Sequence, residues 1–358
     1  MAGPSTPSST KPLPADLGLI AGRVEARIEL LLTEEQRRWA ALDPQLHQPL
    51  ESLRNLVLAG GKRLRPAFCH WGWVAAGGDA SDPRIVDAGA AFELLQGFAL
   101  IHDDVMDGSA RRRGGPTVHR QFVATHEASA WIGEGRRFGE GVAILVGDLA
   151  LVYADRLLPS GPPELAPLWD ELRIELNVGQ YLDLVGTATA NHEREITRRI
   201  ARYKSGRYTI QRPLQLGATL AGRSDLAHEL GRYGDPLGEA FQLRDDVLGV
   251  FGDSTRTGKP VGDDLREGKP TLLLAVAHER ADDRQLAVLG RVGDPELAER
   301  EVVDLQEVLV ATGAVAATEE QITVLAREAV EALDTIDLPD PARLALVDLA
   351  EFVIARDA

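Results

Sequence analysis

From residue 17 onward, apolar side chains recur at three- and four-residue intervals, as in Ile20, Val24, Ile28, Leu31 and Leu32, while the two-residue alternation of a half-buried strand is almost absent. A chain patterned this way buries its apolar stripes by packing helix on helix, so the expected fold class is all-α. Long stretches with this period cover 84–106, 138–158, 165–187, 192–221, 235–252 and 268–282. Asp43-Pro44, Asp82-Pro83, Asp294-Pro295 and Asp340-Pro341 mark helix starts, because Asp caps free amides and Pro suits the first helical position. Thr318 and Gln321 have capping-box spacing just before Ile322, Val324 and Leu325, and predict a further start there. Irregular Gly- and Arg-rich segments fall at 59–66, 107–117 and 252–270, and no shift of composition or long linker divides the chain. The expectation is one large helical domain over 17–358, with residues 1–16, opening MAGPSTPSSTKPLP, as a disordered tail.

Charge and cysteine content narrow the function classes. Lys and Arg total 39 against 55 Asp and Glu, a formal net charge of −16, which disfavours a nucleic-acid surface and requires a local basic pocket for any anionic ligand. The single cysteine, Cys69, excludes an internal disulfide and a cysteine-rich metal centre, and fits a reducing cytoplasm. The apolar stretch 141–158 is broken by Asp148 and Asp155 before the roughly 20 residues that span a bilayer, so no transmembrane helix is expected.

Two acidic clusters recur in similar apolar settings, FALIHDDVMD at 98–107 and FQLRDDVLG at 241–249. Asp103 and Asp107 are four residues apart and share one helix face, with Asp104 between them. Asp245 and Asp246 form the second cluster, and Asp253 comes eight residues after Asp245. Repelling carboxylates without cysteine point to a hard cation such as Mg²⁺, which bridges carboxylates to substrate phosphates. A solvated acidic helix end is the plain alternative for either cluster alone. The basic motifs weigh against it: GGKRLRP at 60–66 concentrates Lys62, Arg63 and Arg65 in a turn, and RRRGG at 111–115 comes just after the first cluster. Arg forks and Lys ammoniums bind phosphate oxygens by charge-assisted hydrogen bonds.

In order along the chain, GGKRLRP, ELLQGFALIHDDVMDGSARRRGGPTVH, GQYLDL at 179–184, YKSGRYT at 203–209, FQLRDDVLGVFGD at 241–253 and GKPVGDDLREGKPTLL at 258–273 resemble the trans-isoprenyl diphosphate synthases, or polyprenyl synthetases. The resemblance covers nearly the whole chain after the tail. It implies an isoprenoid synthase fold, a bundle or barrel of helices around a deep central cavity with the two aspartate clusters facing each other at its mouth, and a homodimer. The implied activity is Mg²⁺-dependent head-to-tail (1'-4) condensation of isopentenyl diphosphate with an allylic diphosphate, releasing inorganic diphosphate.

Carried over by position, Lys62, Arg65, Gln96 and Arg113 would hold the isopentenyl diphosphate, and Arg112, Lys204, Ser205, Gln242, Lys259 and Lys269 the allylic one. Asp103, Asp104, Asp107 and Asp245 would bind several Mg²⁺ ions. Asp103, Asp107, Arg112, Lys204 and Asp245 would carry the catalysis. Gln180 and Asp183 are expected near the cavity wall, or as an ordinary buried helix surface. His102 and His119 lie near enough in sequence to be considered as bases, although released diphosphate is the family's usual base. Three positions depart from the family's pattern: Ser205 for Thr, Gln96 for His, and Gly249 for a third Asp, with Asp253 as the expected partial substitute.

Phe98 and Ala99, five and four residues before Asp103, would set product length, and an aromatic followed by a small residue there favours geranylgeranyl diphosphate (C20) over farnesyl diphosphate. A class I terpene cyclase shares the first acidic motif, but it pairs it with an Asn/Ser/Glu motif where this chain has Asp245 and Asp246. A non-catalytic partner subunit would not need Asp103, Asp104, Asp107, Arg112 and Arg113 intact.

Overall fold

The computed structural model describes residues 16–252 and 262–356. The tail expected over 1–16 therefore lies outside the described residues except for Asp16, as do Asp253 and Lys259.

The helices are α1 (Leu17–Ala40), α2 (His47–Leu58), α3 (Leu64–Ala75), α4 (Pro83–Met106), α5 (Val118–Ala128), α6 (Gly135–Leu157), α7 (Leu165–Ala188) and α8 (Arg194–Ile200). A π-helical segment, Ala201–Gln211, continues α8 into α9 (Arg212–Leu220). The chain then forms α10 (Ser224–Phe251), α11 (Asp263–Glu267), α12 (Leu272–Arg280), α13 (Asp283–Leu289), α14 (Glu299–Ala311), α15 (Ala314–Leu333) and α16 (Asp340–Ile354). Among the described residues the one extended pair is Arg111–Arg112 against Gly115–Pro116, so the all-α expectation holds.

Helix α4 is apolar nearly all round because it is enclosed nearly all round. Ala88, Ala90, Ala91, Phe92, Leu94 and Leu95 are wholly buried, and α1, α3 and α6 pack against it. By length and composition α4 would reach across a membrane, yet 67% of its apolar window is buried inside the protein. The other candidate, α14 with α15, bends by 62° between its two halves.

The start signals held unevenly. Asp43 accepts from Gln45 N at 2.9 Å and Asp82 from Arg84 N at 2.8 Å, each just before its proline. Asp294 accepts from Glu296 N in the same way but opens only a turn, and the next helix starts at Glu299. Asp340 lies in the first turn of α16, one residue later than a cap. Thr318 is interior to α15, its hydroxyl donating to the Ala314 carbonyl at 3.0 Å. Gly313, at φ 71°, caps that helix five residues earlier, because Ala314–Ala317 are good enough helix formers to extend it upstream.

Two close backbone crossings fix the relative positions of α7, α10 and the π segment. Gly206 in the π segment meets Gly238 of α10 so closely that a Cβ on Gly206 would lie 2.8 Å from the Gly238 carbonyl carbon. Gly179 of α7 lies against the backbone of Lys204, leaving no space for a side chain. The C-terminal end of α4, the middle of α7, the π segment, the end of α10 and α11 are thereby gathered around one cleft.

Candidate active site

The cleft is a cavity of about 440 Å³ whose wall includes Asp103, Asp183, Lys204, Asp245, Asp246, Asp264 and Lys269. Asp103 sits in the last turn of α4, where Lys204 Nζ donates to it at 3.1 Å and Gln180 Nε2 at 3.3 Å. Lys204 also donates to Asp183 at 2.6 Å, bridging α4 to α7. Arg112, carried by the small extended turn, donates to Asp103 at 3.2 Å and to Asp104 at 2.6 Å. Asp104 is only 1% exposed, so it faces Arg112 within the protein rather than the open cleft. Lys269 reaches Glu267 at 2.6 Å, Asp107 at 3.5 Å and Asp264 at 3.6 Å.

These cations do not balance the carboxylates. Burial raises the Asp103 carboxyl, but Lys204, Lys269 and Arg112 outweigh it and hold the group well below the usual range. Asp107 is pushed up to about 6 by burial and then by the charge of Asp103, and its buried Oδ2 makes no closer contact among the described residues than Lys269 Nζ at 3.5 Å. Asp246 is pushed up to about 8 by burial, with Asp264 and Asp245 adding to it against the hydrogen bond from Gln242. Oxygen-only donors with surplus negative charge suit a hard divalent cation. Among the described residues no three such side chains already converge as a ready cage; Lys204, Arg112 and Lys269 stand between them.

A second, cationic crevice lies beside the first. In GGKRLRP the middle arginine turns inward: Arg63, at φ 49°, pairs with Glu93 of α4 and Glu25 of α1 and donates to the Val57 carbonyl. That locks the turn. Arg65 then donates to Thr209 Oγ1 at 2.8 Å, and Arg113 to the Leu56 carbonyl at 2.9 Å. Among the described residues neither Arg65 nor Arg113 has a carboxylate partner. Burial pushes the Arg113 guanidinium down, and Arg63, Arg112 and Arg65 push in the same direction against Glu93. Gln96, two turns before Asp103 on α4, lines this crevice with Arg113. Lys62 lies 5.8 Å from the ring of Phe352 on α16.

Of the other expected residues, Ser205 and Gln242 line the cleft, and Gln242 donates to Asp246 at 2.7 Å. Phe98 packs edge-on to His102 at 4.7 Å, and both Phe98 and Ala99 lie against the core rather than on the cleft wall. His102 faces α6, its Nε2 3.0 Å from the Ile144 carbonyl oxygen. His119 is buried against Thr117. Neither histidine lines the cleft.

Sequence reasoning passed over Asp264, Glu267 and Arg356. A Cβ on Gly249 would collide with the Asp264 carboxylate, so α11 brings a carboxylate to the place the missing third aspartate leaves. Arg356, whose side chain is 6% exposed, pairs with Asp245 at 2.9 Å and lies 4.1 Å over the Phe241 ring. GDDLREGK at 262–269 advertised acidic groups; nothing in the chain's last residues signalled Arg356.

The family model described as polyprenyl synthetase matches residues 46–309. The short chain isoprenyl diphosphate synthase of Methanothermobacter thermautotrophicus is 34% identical over 339 residues, covering 91% of this chain and 96% of that protein. The nonaprenyl diphosphate synthase of Mycobacterium tuberculosis is 32% identical, covering 92% of both. A crystal structure of geranylgeranyl pyrophosphate synthase from Corynebacterium glutamicum, complexed with isoprenyl diphosphate and magnesium, is similar at a TM-score of 0.91 and 38% identity, covering 95% of this chain and 99% of that one.

Proposed function

We propose, for a chain that belongs to the polyprenyl synthetase family and is a prenyltransferase making prenyl diphosphates, that its acidic cleft takes the allylic diphosphate and its cationic crevice the isopentenyl diphosphate. The observation that carries this reading is the contrast between neighbouring sites. One has carboxylates in excess of its cations; in the other Glu93 is engaged by Arg63, and Arg65 and Arg113 have no carboxylate partner among the described residues. The first suits a diphosphate that arrives with divalent cations, the second a diphosphate bound directly.

The cleft fits magnesium because, among the described residues, the buried Asp107 oxygen has only the long contact to Lys269 and Asp246 is charged only at a cost. Asp103, Asp107 and Asp245 would hold the ions, with Asp104 acting through Arg112; magnesium bound there neutralises charge on the diphosphate. Lys204, Arg112 and Lys269, now engaged with carboxylates, are positioned to take phosphate oxygens. Their charges favour breaking the allylic C–O bond, with the electron pair leaving on diphosphate. The isopentenyl double bond attacks the allylic C1, and the resulting cation loses a C2 proton to the released diphosphate, forming the new double bond. Helix α4 holds the two sites in register, since Gln96 and Asp103 are separated by about 10 Å of helix rise.

Product length is read as C20 from the aromatic-then-small pair Phe98 and Ala99 one turn before Asp103, on the family resemblance, since the two pack in the core rather than on the cleft wall. The residues 17–358 are read as one catalytic domain and two copies as a homodimer in the cytoplasm. The support for the dimer is the exposed apolar face of Leu145 and Val152 on α6 with Ile174 and Tyr181 on α7. The test is incubation of the purified chain with Mg²⁺, isopentenyl diphosphate and dimethylallyl, geranyl or farnesyl diphosphate, followed by chromatography of the dephosphorylated products. Geranylgeraniol is expected, shortened by Ala99→Phe. Farnesol as the end product corrects the length, and no consumption of isopentenyl diphosphate overturns the reading.

A further inference from the structure

The π-helical segment joins the two anion sites, and on the isopentenyl side the join is made by Tyr208 and Thr209, which have been given no role so far. In a π turn residue i bonds to residue i+5, so residues five apart come close to the same side; in an α-helix they would diverge by about 140°. Lys204 and Thr209 are such a pair. Lys204 reaches into the acidic cleft, 3.1 Å from Asp103, while Thr209, wholly buried, accepts a hydrogen bond from Arg65 Nη2 at 2.8 Å. Beside it Tyr208, 2% exposed, lays its ring 4.4 Å beneath the Arg65 guanidinium. The Tyr208 hydroxyl meets no hydrogen-bond partner of good geometry among the described residues, although the Arg65 charge acts on it, so the contact the geometry shows is the ring face.

Arg65 is held in an unusual way. Arg65 is half-buried; the guanidiniums beside it are fixed by carboxylates, Arg63 by Glu93 and Arg112 by Asp104. Arg65 is fixed instead by a neutral hydroxyl and a ring, which orient it without cancelling its charge. Its Nε is buried and has no partner among the described residues, a donor left over for a ligand. A carboxylate in place of Thr209 would satisfy the guanidinium and forfeit the affinity for an anion.

We infer that Thr209 and Tyr208 are positioning residues for the isopentenyl diphosphate site, holding Arg65 oriented and uncompensated from the π segment that also delivers Lys204 to the allylic site. This rests on the reading that Arg65 binds the isopentenyl diphosphate, and the experiment separates the two. Steady-state kinetics of the full chain are measured with each substrate varied in turn. Thr209→Val, which keeps the shape and removes the acceptor, should raise the KM for isopentenyl diphosphate about tenfold, the order expected for a hydrogen bond to a charged group, with the allylic KM and kcat changed far less. Thr209→Ser should restore a near-normal KM. Tyr208→Leu should raise the same KM and Tyr208→Phe should not. In the Arg65→Ala background Thr209→Val should add nothing further, a result that a general loosening of the fold would not give.

An unchanged KM in Thr209→Val alongside a raised one in Arg65→Ala overturns the inference and leaves the site reading standing. Equal losses for both substrates, or additive losses in the double variant, also overturn it. An unchanged isopentenyl diphosphate KM in Arg65→Ala removes the reading itself and the inference with it.

Discussion

Single residues in the cleft differ by what they face. Asp103 lies on its wall and Asp107 beside it against Lys269, whereas Asp104 is turned into the protein onto Arg112. Asp103→Asn and Asp107→Asn should therefore each lower kcat by about 100-fold or more, with unchanged far-UV circular dichroism, because a lost oxygen charge acts on the leaving group. Near-normal turnover in either would remove it from that role. Gly249 gives a less intuitive expectation. Restoring the aspartate that the fuller motif carries collides with the Asp264 carboxylate, so Gly249→Asp should raise the Mg²⁺ concentration needed for half-maximal rate rather than lower it. A lower requirement in a magnesium titration would mean that Asp264 does not fill that place. The first cluster, the basic turn and Lys204 were legible in the sequence because each chemistry sits in one short, patterned run. The place of Asp264 beside Gly249 was not, since fifteen residues and a turn at Gly262 separate them in the chain.

Helices with a clean three-to-four period were readable nearly to their ends, α4 and α7 above all. The π segment was not, because hydrophobic spacing cannot distinguish an i+4 from an i+5 register over eleven residues, and only packing against α10 makes the wider turn visible. Thr318 failed for a related reason: a capping pattern says where a helix is able to start, while the residues upstream determine whether it already has. The crossing of Gly206 on Gly238 sets the position of the whole π turn. Gly206→Ala puts a methyl against backbone that has no flexible end to move, and overpacking of this kind costs about 1–3 kcal/mol. Chemical denaturation should report that loss, and the KM of both substrates should rise together, since Lys204 and Thr209 shift with the segment. A variant as stable as the parent would show that the crossing is looser than its geometry.

At the scale of the molecule, two histidines with depressed pKa values, the buried His70 and the half-buried His192, oppose folding in acid. His70 is depressed to about 4 by burial and then by Arg23, and His192, stacked 4.0 Å from His278, is depressed to about 4 by burial and then by that neighbour. A histidine with a depressed folded pKa binds fewer protons than the unfolded chain below pH about 6.5, so stability is full above that value and falls toward pH about 4. His70 alone accounts for up to about 3 kcal/mol at the acid end. Asp107 and Asp246, whose raised carboxyls take up protons over the same range, push stability the other way, so the histidine contribution is read as a difference: in thermal melts His70→Gln should gain stability relative to the parent as the pH falls from 7.5 to 4.5, and parallel curves would locate the proton uptake elsewhere. The two ends of the chain differ in what they adjoin. Helix α16 begins beside Leu17 and carries Arg356 to Asp245, so the chain's last described residue closes on the cleft. A bulky label placed on Arg356 would therefore stand at the doorway of the reaction.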